Sequence, residues 1–472
     1  MSADCWRGTG ETGVFLLTGR VGVRNMGGSM GFSADRWLGR AATEARAGFN
    51  RWLVPPAAIA VHMCIGQVYA FSVFNKPLAT ELGVTVPQVQ VAYSIALVML
   101  GLSAAVFGKW VERSGPRKTM VASWLCFCGG LLLAALAVRF QSLPLLLGGY
   151  GVLGGIGLGL GYIAPVSTLV KWFPDRPGMA TGMAIMGFGG GALVGAPLAL
   201  ELMKRFGEGA DTGAQVALTL MAAIYSGFML FGAVMVRVPA AGWKPAGWVP
   251  KESESKLVTT ASVSVDRAWR TPQFWLLWVV LCMNVSAGIG VLGLASDMLQ
   301  NMFGVSAVVG GGFAGLLSIF NMGGRFVWSS VSDLTGRKAV YCIYFVLGAA
   351  LYATLPWAQQ TGNRTLFLVC TALIISMYGA GFATIPAYLR DLFGTYQVGA
   401  IHGRLITAWS MAAVIGPSLI NGLYASRVAA GVPKAEAYNG TFYLMCVLLG
   451  IGLVANLLVR PVSAEYQEKT VN

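Results

Sequence analysis

The sequence predicts an all-α membrane protein: twelve transmembrane helices in two pseudo-symmetric six-helix bundles, both termini cytoplasmic. Three observations predict it: an apolar surplus spread along the whole chain, twelve apolar stretches of spanning length, and an internal repeat. Of 472 residues, 56% are hydrophobic and 11% charged, where a soluble domain carries about 25% charged residues. The mean hydropathy of +0.66 leaves no room for a water-soluble body on a single anchor. The 63 glycines sit largely inside apolar runs, where small residues let membrane helices approach closely.

Stretches of about 20 apolar residues, the length needed to cross a bilayer, fall near 52–74, 88–109, 119–139, 144–171, 178–202, 215–237, 273–298, 310–332, 339–357, 366–389, 402–424 and 439–459. They divide the chain into a flexible cytoplasmic N-terminal segment (1–50), a first six-helix bundle (51–238), a cytoplasmic central linker (239–271), a second bundle (272–460) and a cytoplasmic tail (461–472). The first fifty residues have no signal-peptide pattern, since Val14 to Leu17 is too short an apolar run, and Met26 or Met30 are alternative starts. With the N-terminus inside, 25 Lys and Arg fall in cytoplasmic segments and 7 in outer loops, which sets the orientation. The net charge of +14 therefore reports topology, and no nucleic-acid partner is expected. Seven of the eight cysteines lie in apolar segments without disulfide or zinc spacing, so no metal and no cofactor are expected.

The halves repeat. The loop after the second helix reads Gly108-Lys109-Trp110-Val111-Glu112-Arg113-Ser114-Gly115-Pro116-Arg117-Lys118. After the eighth helix comes Ser329 and then Asp333-Leu334-Thr335-Gly336-Arg337-Lys338. Glu112 and Asp333 lie 221 residues apart, as do Pro165 and Pro386, and Gly182 and Gly403; Pro197 and Pro417 lie 220 apart. Parallel duplication places a solute path between the halves. Both loops resemble the signature loop of the major facilitator superfamily. In such a loop two helices turn tightly through a glycine, and an acid can cap a neighbouring helix N-terminus and pair with the basic cluster. The expected conformational latch is Gly108, Glu112, Arg113, Gly115 and Arg117 in one copy and Asp333, Gly336 and Arg337 in the other.

Arg325 is the most informative single position. Ser318, Asn321, Arg325 and Ser329 recur at helical spacing and form one polar stripe, and Arg325 falls roughly 9 Å from the cytoplasmic end at 1.5 Å per residue. A charge within a spanning helix costs about 2.5–3.5 kcal/mol on insertion scales and must face a cavity. The plainer alternatives are an arginine reaching the headgroups or a structural partner of Asp333. A guanidinium grips carboxylates in a planar fork, which points to an organic anion. His62 shares a helix face with Gly66 and Tyr69, and is either a satisfied core histidine or a titrating group. Tyr69, Tyr162 and Phe382 are either an aromatic wall of the cavity or ordinary core.

Further runs sharpen the resemblance: Gly66-Gln67-Val68-Tyr69-Ala70-Phe71-Ser72-Val73-Phe74, Lys171-Trp172-Phe173-Pro174-Asp175-Arg176, Gly178-Met179-Ala180-Thr181-Gly182, Phe320-Asn321-Met322-Gly323-Gly324-Arg325 and Gly399-Ala400-Ile401-His402-Gly403. From about residue 50 to 460 the chain is similar to the oxalate/formate antiporter family of the major facilitator superfamily. The resemblance implies the major facilitator fold, carriage of small carboxylates and a bacterial inner (plasma) membrane. It also implies a dianion site between an arginine on helix eight and a lysine on helix eleven, inside an aromatic cage. Arg325 matches that arginine. The lysine's position falls within Leu405-Ile406-Thr407-Ala408-Trp409-Ser410, at Trp409. One buried positive charge balances one carboxylate, where two favour a dianion. The expectation is accordingly a monocarboxylate, or an anion with an apolar tail against Trp409. Arg404 is expected to face elsewhere, and His402 to lie about 10 Å from Trp409 on the same face.

The resulting expectation is a secondary active carrier of small organic anions, by exchange or with protons, working as a monomer in the bilayer. Its substrate-binding residues are Arg325, Trp409, Tyr69, Tyr162, Asn321, Phe382 and His62. An exporter of drugs, cations or neutral solutes is the alternative, though membrane-embedded acids are scarce; a non-transporting sensor is another. No paired carboxylates, metal-spaced histidines or nucleophile motif support an enzyme.

Overall fold

A computed structural model describes residues 37–207, 213–249, 257–259 and 261–468. From Leu38 onward the described residues form one compact body. Twelve long helices run through it: α1 (Arg51–Leu82), α2 (Val86–Ser114), α3 (Pro116–Arg139), α4 (Leu143–Trp172), α5 (Pro177–Phe206), α6 (Gly213–Met235), α7 (Pro272–Phe303), α8 (Ala307–Thr335), α9 (Arg337–Gln360), α10 (Arg364–Phe393), α11 (Val398–Ala429) and α12 (Lys434–Leu458). Eleven of these are long and apolar enough to cross a membrane. The remaining one, α8, is as long as α2 at 29 residues and carries Arg325. Among the described residues the only β-type pairing is the bridge between Glu44 and Val238.

The helix ends follow from local chemistry. Thr85 at the start of α2 donates its backbone N–H to Gln88 Oε1 at 2.9 Å, one limb of a capping box. The side chains of Thr271, Ser306 and Asn363 accept backbone N–H bonds at the starts of α7, α8 and α10. Gly115 and Gly336 end α2 and α8 at φ of +84° and +86°, a region that L side chains avoid.

The two halves share one pattern of neighbours. In the first, α1 packs on α5 and α6, α2 on α4, and α3 on α4 and α6; in the second, α7 packs on α11 and α12, α8 on α10, and α9 on α10 and α12. The principal contacts between halves join α5 to α8 and α2 to α11, which the 221-residue offset exchanges.

Three helices depart from regular α geometry. α1 tightens to a 3₁₀ helix over Gly66–Phe74, where it crosses α5 so closely that a Cβ on Gly66 would lie 2.8 Å from Phe188 Cα. α4 widens to a π-helix over Leu147–Gly154. α11 is interrupted at Ile406, between Val398–Leu405 and Thr407–Ala429.

The expected flexible segment 1–50 lies, for residues 1–36, outside the described residues. The part that follows is tied down: Ala45 donates to Val238 O and Val238 to Thr43 O, both at 2.9 Å. Residues 250–256 and 260 of the linker also lie outside the description. Its last part is anchored by a short helix, Val265–Ala268, whose Val265 N–H donates to Gln397 Oε1 at 2.9 Å.

Candidate functional site

Arg325 is fully buried. Its helix, α8, lies against the glycine run Gly187-Phe188-Gly189-Gly190-Gly191 of α5. A Cβ at Gly189 would stand 2.7 Å from Arg325 Nε, so the missing side chain makes the space that the arginine fills. Nε donates to Asn321 Oδ1 at 3.0 Å and Nη1 to the Ile185 carbonyl at 3.3 Å. Among the described residues Nη2 has no hydrogen-bond partner and no carboxylate forms an ion pair with the group. Asp333, the structural partner considered from sequence, is engaged elsewhere.

The guanidinium carbon lies 5.3 Å from the Phe382 ring centroid and 5.8 Å from that of Phe188, within cation–π range. Both rings also contact Trp409, with centroids at 4.7 Å (Phe382) and 5.4 Å (Phe188). Tyr162 and Tyr69 complete the cage at 5.7 and 6.2 Å from Trp409. The Tyr69 hydroxyl reaches that of Tyr378 across the two halves at 3.5 Å. His62, fully buried, meets Tyr162 edge-on at 5.5 Å. The seven residues expected at the site thus belong to one connected cluster from α1, α4, α8, α10 and α11. Phe188, Gly189 and Tyr378 belong to it as well and were not singled out from sequence. Phe188 did carry a signal: one large ring among four glycines has to project from a helix whose other positions there are flush.

Above the cage lies a cavity of about 600 Å³. Tyr69, Gly189 and Asn321 bound it on the cage side, and Asn75, Gln90 and Ser296 near the turns at 83–85 and 304–306. None of its described lining residues is acidic.

At the opposite end the halves are closed. Asp333 accepts the backbone N–H groups of Gly178 and Met179, at the start of α5, both at 2.8 Å. Glu112 accepts the N–H of Gly399, at the start of α11, at 3.0 Å. Gly178 and Gly399 are themselves 221 residues apart, so the repeat places two equivalent caps, each an acid of one half on a helix N-terminus of the other. Gly108 allows the approach, since a Cβ there would lie 2.9 Å from Ala400 Cα.

The basic partners differ from expectation in one half. Arg337 holds Asp333 at 2.6 Å and Asp391 at 3.1 Å and donates to Ser332 Oγ. Glu112, however, pairs with Lys171 at 2.7 Å. Arg113 is exposed, and Arg117 donates from Nε to the Ala233 carbonyl at 3.1 Å and from Nη2 to that of Val234 at 3.2 Å. Of the two arginines expected in the latch, Arg113 is thus a surface group, and Arg117, the second residue of α3, reaches carbonyls at the end of α6. A third tie was not foreseen. Asp266 of the linker binds Lys109 of α2 at 2.5 Å and Arg404 of α11 at 2.9 Å. The flanking cations, Lys109 foremost and then Arg404, hold its carboxyl below the ordinary carboxylate range. Arg404 thus points away from the cage.

The chain is 28% identical over 375 residues to the oxalate:formate antiporter of Oxalobacter formigenes, covering 78% of this chain and 84% of the relative. It is 25% identical over 460 residues to apicoplast pyruvate carrier 1 of Toxoplasma gondii, covering 77% and 81%. Among solved structures, the proton:xylose symporter XylE superposes with a TM-score of 0.64 at 14% identity, covering 86% of this chain and 94% of the other, a likeness of fold. The family model described as Major Facilitator Superfamily matches residues 57–417 and 324–471. The chain is a multi-pass membrane transporter, and it belongs to the Major Facilitator Superfamily.

Proposed function

We propose that this transporter carries small organic anions, chiefly monocarboxylates, by alternating access between its two halves. One observation carries the reading: a fully buried guanidinium with a free Nη2 and no described acid beside it, set in an aromatic cage under a cavity between the halves. A buried charge without a counter-charge costs several kcal/mol, on the order of 3–5 when a partner is missing, and an incoming carboxylate supplies that partner together with a charge-assisted hydrogen bond. Trp409, Tyr162, Tyr69 and Phe382 present apolar faces to the rest of such an anion, and Asn321 fixes the arginine from the cavity side. The absence of acids among the described residues of the cavity lining argues against the export of cations, which calls for embedded carboxylates.

The relatives named for oxalate, formate and pyruvate support the same class of cargo. Within it, a single cation facing Trp409 favours one carboxylate over two. By the placement of Lys and Arg, the closed end with its acid caps faces the cytoplasm and the cavity faces outward. The seat is a bacterial inner membrane and the working unit a monomer.

The test is uptake of labelled formate, acetate, lactate, pyruvate and oxalate into proteoliposomes, with and without internal counter-anion. Monocarboxylate uptake is expected to exceed oxalate uptake and to vanish in Arg325→Ala, whose folding is checked by size-exclusion profile. Unchanged uptake by that variant removes the site, and dominant oxalate exchange overturns the monocarboxylate preference.

A further inference from the structure

The run Gly66-Gln67-Val68 of α1 holds a polar side chain that the cage does not use. Gln67 is fully buried, and among the described residues neither its Nε2 nor its Oε1 has a hydrogen-bond partner. Buried polar atoms of this kind are the exception in folded proteins and call for a partner. The Gln67 stem lies against α5 at Gly195, where a Cβ would stand 3.1 Å from Gln67 Cγ and 3.2 Å from the Tyr225 hydroxyl of α6. The missing side chain of Gly195 therefore leaves a gap that Gln67 and Tyr225 border together. Gln67, Gly195 and Tyr225 all fall near the middle of their helices, hence near the middle of the bilayer.

That gap opens into a groove of about 890 Å³ between α1, α5 and α6. Its walls include Pro56 and Met63 of α1, Val194 and Leu198 of α5, and Phe228 and Phe231 of α6. Apart from Tyr225 and the Cys64 thiol, no described lining residue carries a hydrogen-bonding side chain. Val194, Phe228 and Phe231 are exposed, so the groove lies on the flank of the first half that faces lipid. Helix α1 begins at the closed end, where Arg51 pairs with Asp175 of the turn before α5. The apolar floor thus runs from the Gln67–Tyr225 border toward that end, from Cys64 back to Pro56, roughly 12 Å of helix. A phospholipid tail would fill these walls and leave the amide bare, since its head stays at the membrane surface, and an ionised head is disfavoured at this depth. The amide matches a neutral group that donates and accepts side by side. A protonated carboxyl has one O–H donor and one carbonyl acceptor on the same carbon. Its O–H donates to Gln67 Oε1 while its carbonyl accepts from Nε2, two bonds in one planar pair. A hydroxyl carries both functions on one oxygen and meets one end of the amide at a time.

We propose that this groove binds a long-chain fatty acid in its protonated form, with the carboxyl at Gln67 beside Tyr225 and the chain along α1 and α6 toward the closed end. All three helices belong to the first half, so the site does not rest on the organic-anion reading of the cage. It adjoins the cage nonetheless. Gln67 is two residues from Tyr69, and Gly191, which lines the groove, is two residues from Gly189, the position that makes room for Arg325. A fatty acid in the groove supports the α1–α5 crossing that frames the cage, and as a ligand of the folded chain it raises thermal stability.

The experiment uses the purified full chain in phosphatidylcholine nanodiscs and, as probe, palmitic acid carrying a mid-chain diazirine, cross-linked by light and mapped by peptide mass spectrometry. Labels are expected on the α1 and α6 peptides that hold Met63 and Phe228, with a higher yield at acid than at alkaline pH because the neutral form binds. Unlabelled palmitic acid is expected to compete, and methyl palmitate and hexadecanol to compete severalfold less well, since each forfeits one of the two bonds to the amide. Gln67→Leu removes both bonds at nearly constant volume and is expected to weaken labelling about tenfold. Gly227 lines the groove, and a Cβ there meets nothing within 4 Å. Gly227→Leu therefore fills the groove without a clash in the fold and is expected to abolish labelling of these peptides. Equal competition by the ester shows an ordinary acyl-chain contact, equal competition by the alcohol shows a hydroxyl ligand, and labels spread evenly over the lipid-facing helices show no site. Each of these overturns the proposal, as does unchanged labelling of Gln67→Leu. The competition series needs no variant, so misfolding of a substituted protein does not shelter the proposal. Anion uptake plays no part in the readout, so this site and the carrier reading stand or fall separately.

Discussion

Arg325 fills a space that α5 leaves for it, and this makes its neighbours as testable as the arginine itself. Gly189→Ala places a methyl group 2.7 Å from Nε. Overpacking of this kind costs about 1–3 kcal/mol, here spent on moving the guanidinium, so the expected outcome is a five- to hundredfold weaker half-saturation for pyruvate with a folded protein. Arg325→Lys keeps the charge but loses the fork and the bond to Asn321. Hydrogen bonds to charged groups contribute roughly 1.5–3 kcal/mol, so uptake is expected to drop by roughly tenfold or more. Trp409→Lys adds a second cation opposite Arg325, and the oxalate-to-formate uptake ratio is expected to rise. Arg325 and Trp409 were legible in the sequence because a charge, or a bulky ring where the family resemblance implies a lysine, stands out against an apolar background. Phe188 and Tyr378 were not, since an aromatic residue in a membrane helix is ordinary until its neighbours are known.

At the scale of helices, closure of the shut end rests on acids that cap helix starts across the halves. An N-cap interaction contributes about 1 kcal/mol, and the repeat supplies two. Glu112→Gln and Asp333→Asn are each expected to shift the balance between closed and open ends about fivefold toward opening. Thiol-reagent labelling of a cysteine placed in the α5–α8 or α2–α11 contact measures the shift. Asp266→Asn removes the linker's tie to Lys109 and Arg404 and is expected to act in the same direction. The acids themselves were foreseen because they recur in a repeated loop. Their partners were less so: Lys171 lies 59 residues from Glu112 and Asp266 lies 157 from Lys109, separations at which spacing carries no information. The 3₁₀ turn of α1 and the break in α11 at Ile406 were likewise absent from the apolar pattern; the first lies where the α5 backbone at Phe188 closes on Gly66, not at a local breaker.

For the whole molecule, two paired acids outside the spanning segments set an acid limit. Asp175, on the turn before α5, loses water by burial, which alone would raise its carboxyl, but the paired Arg51 guanidinium at 2.6 and 2.9 Å outweighs this and holds it below the ordinary value. Asp266 is lowered by its two cations. A carboxyl lowered by folding contributes stability above its ordinary value near 3.8 and loses it as pH falls through the lower folded value. Thermal stability of the purified protein is therefore expected to be flat in this respect above pH 5 and to decline below pH 4, with a shallower decline in Asp266→Asn, followed by unfolding midpoint against pH. By itself the sequence determined the all-helical membrane class, the repeat, the turn positions and the buried cation, because hydrophobic length, periodicity and the cost of a charge in lipid are local properties of a chain. Only the tertiary structure decided which end is shut, which acid meets which helix start and which rings enclose Arg325. Those depend on contacts between helices hundreds of residues apart, which hydropathy does not record.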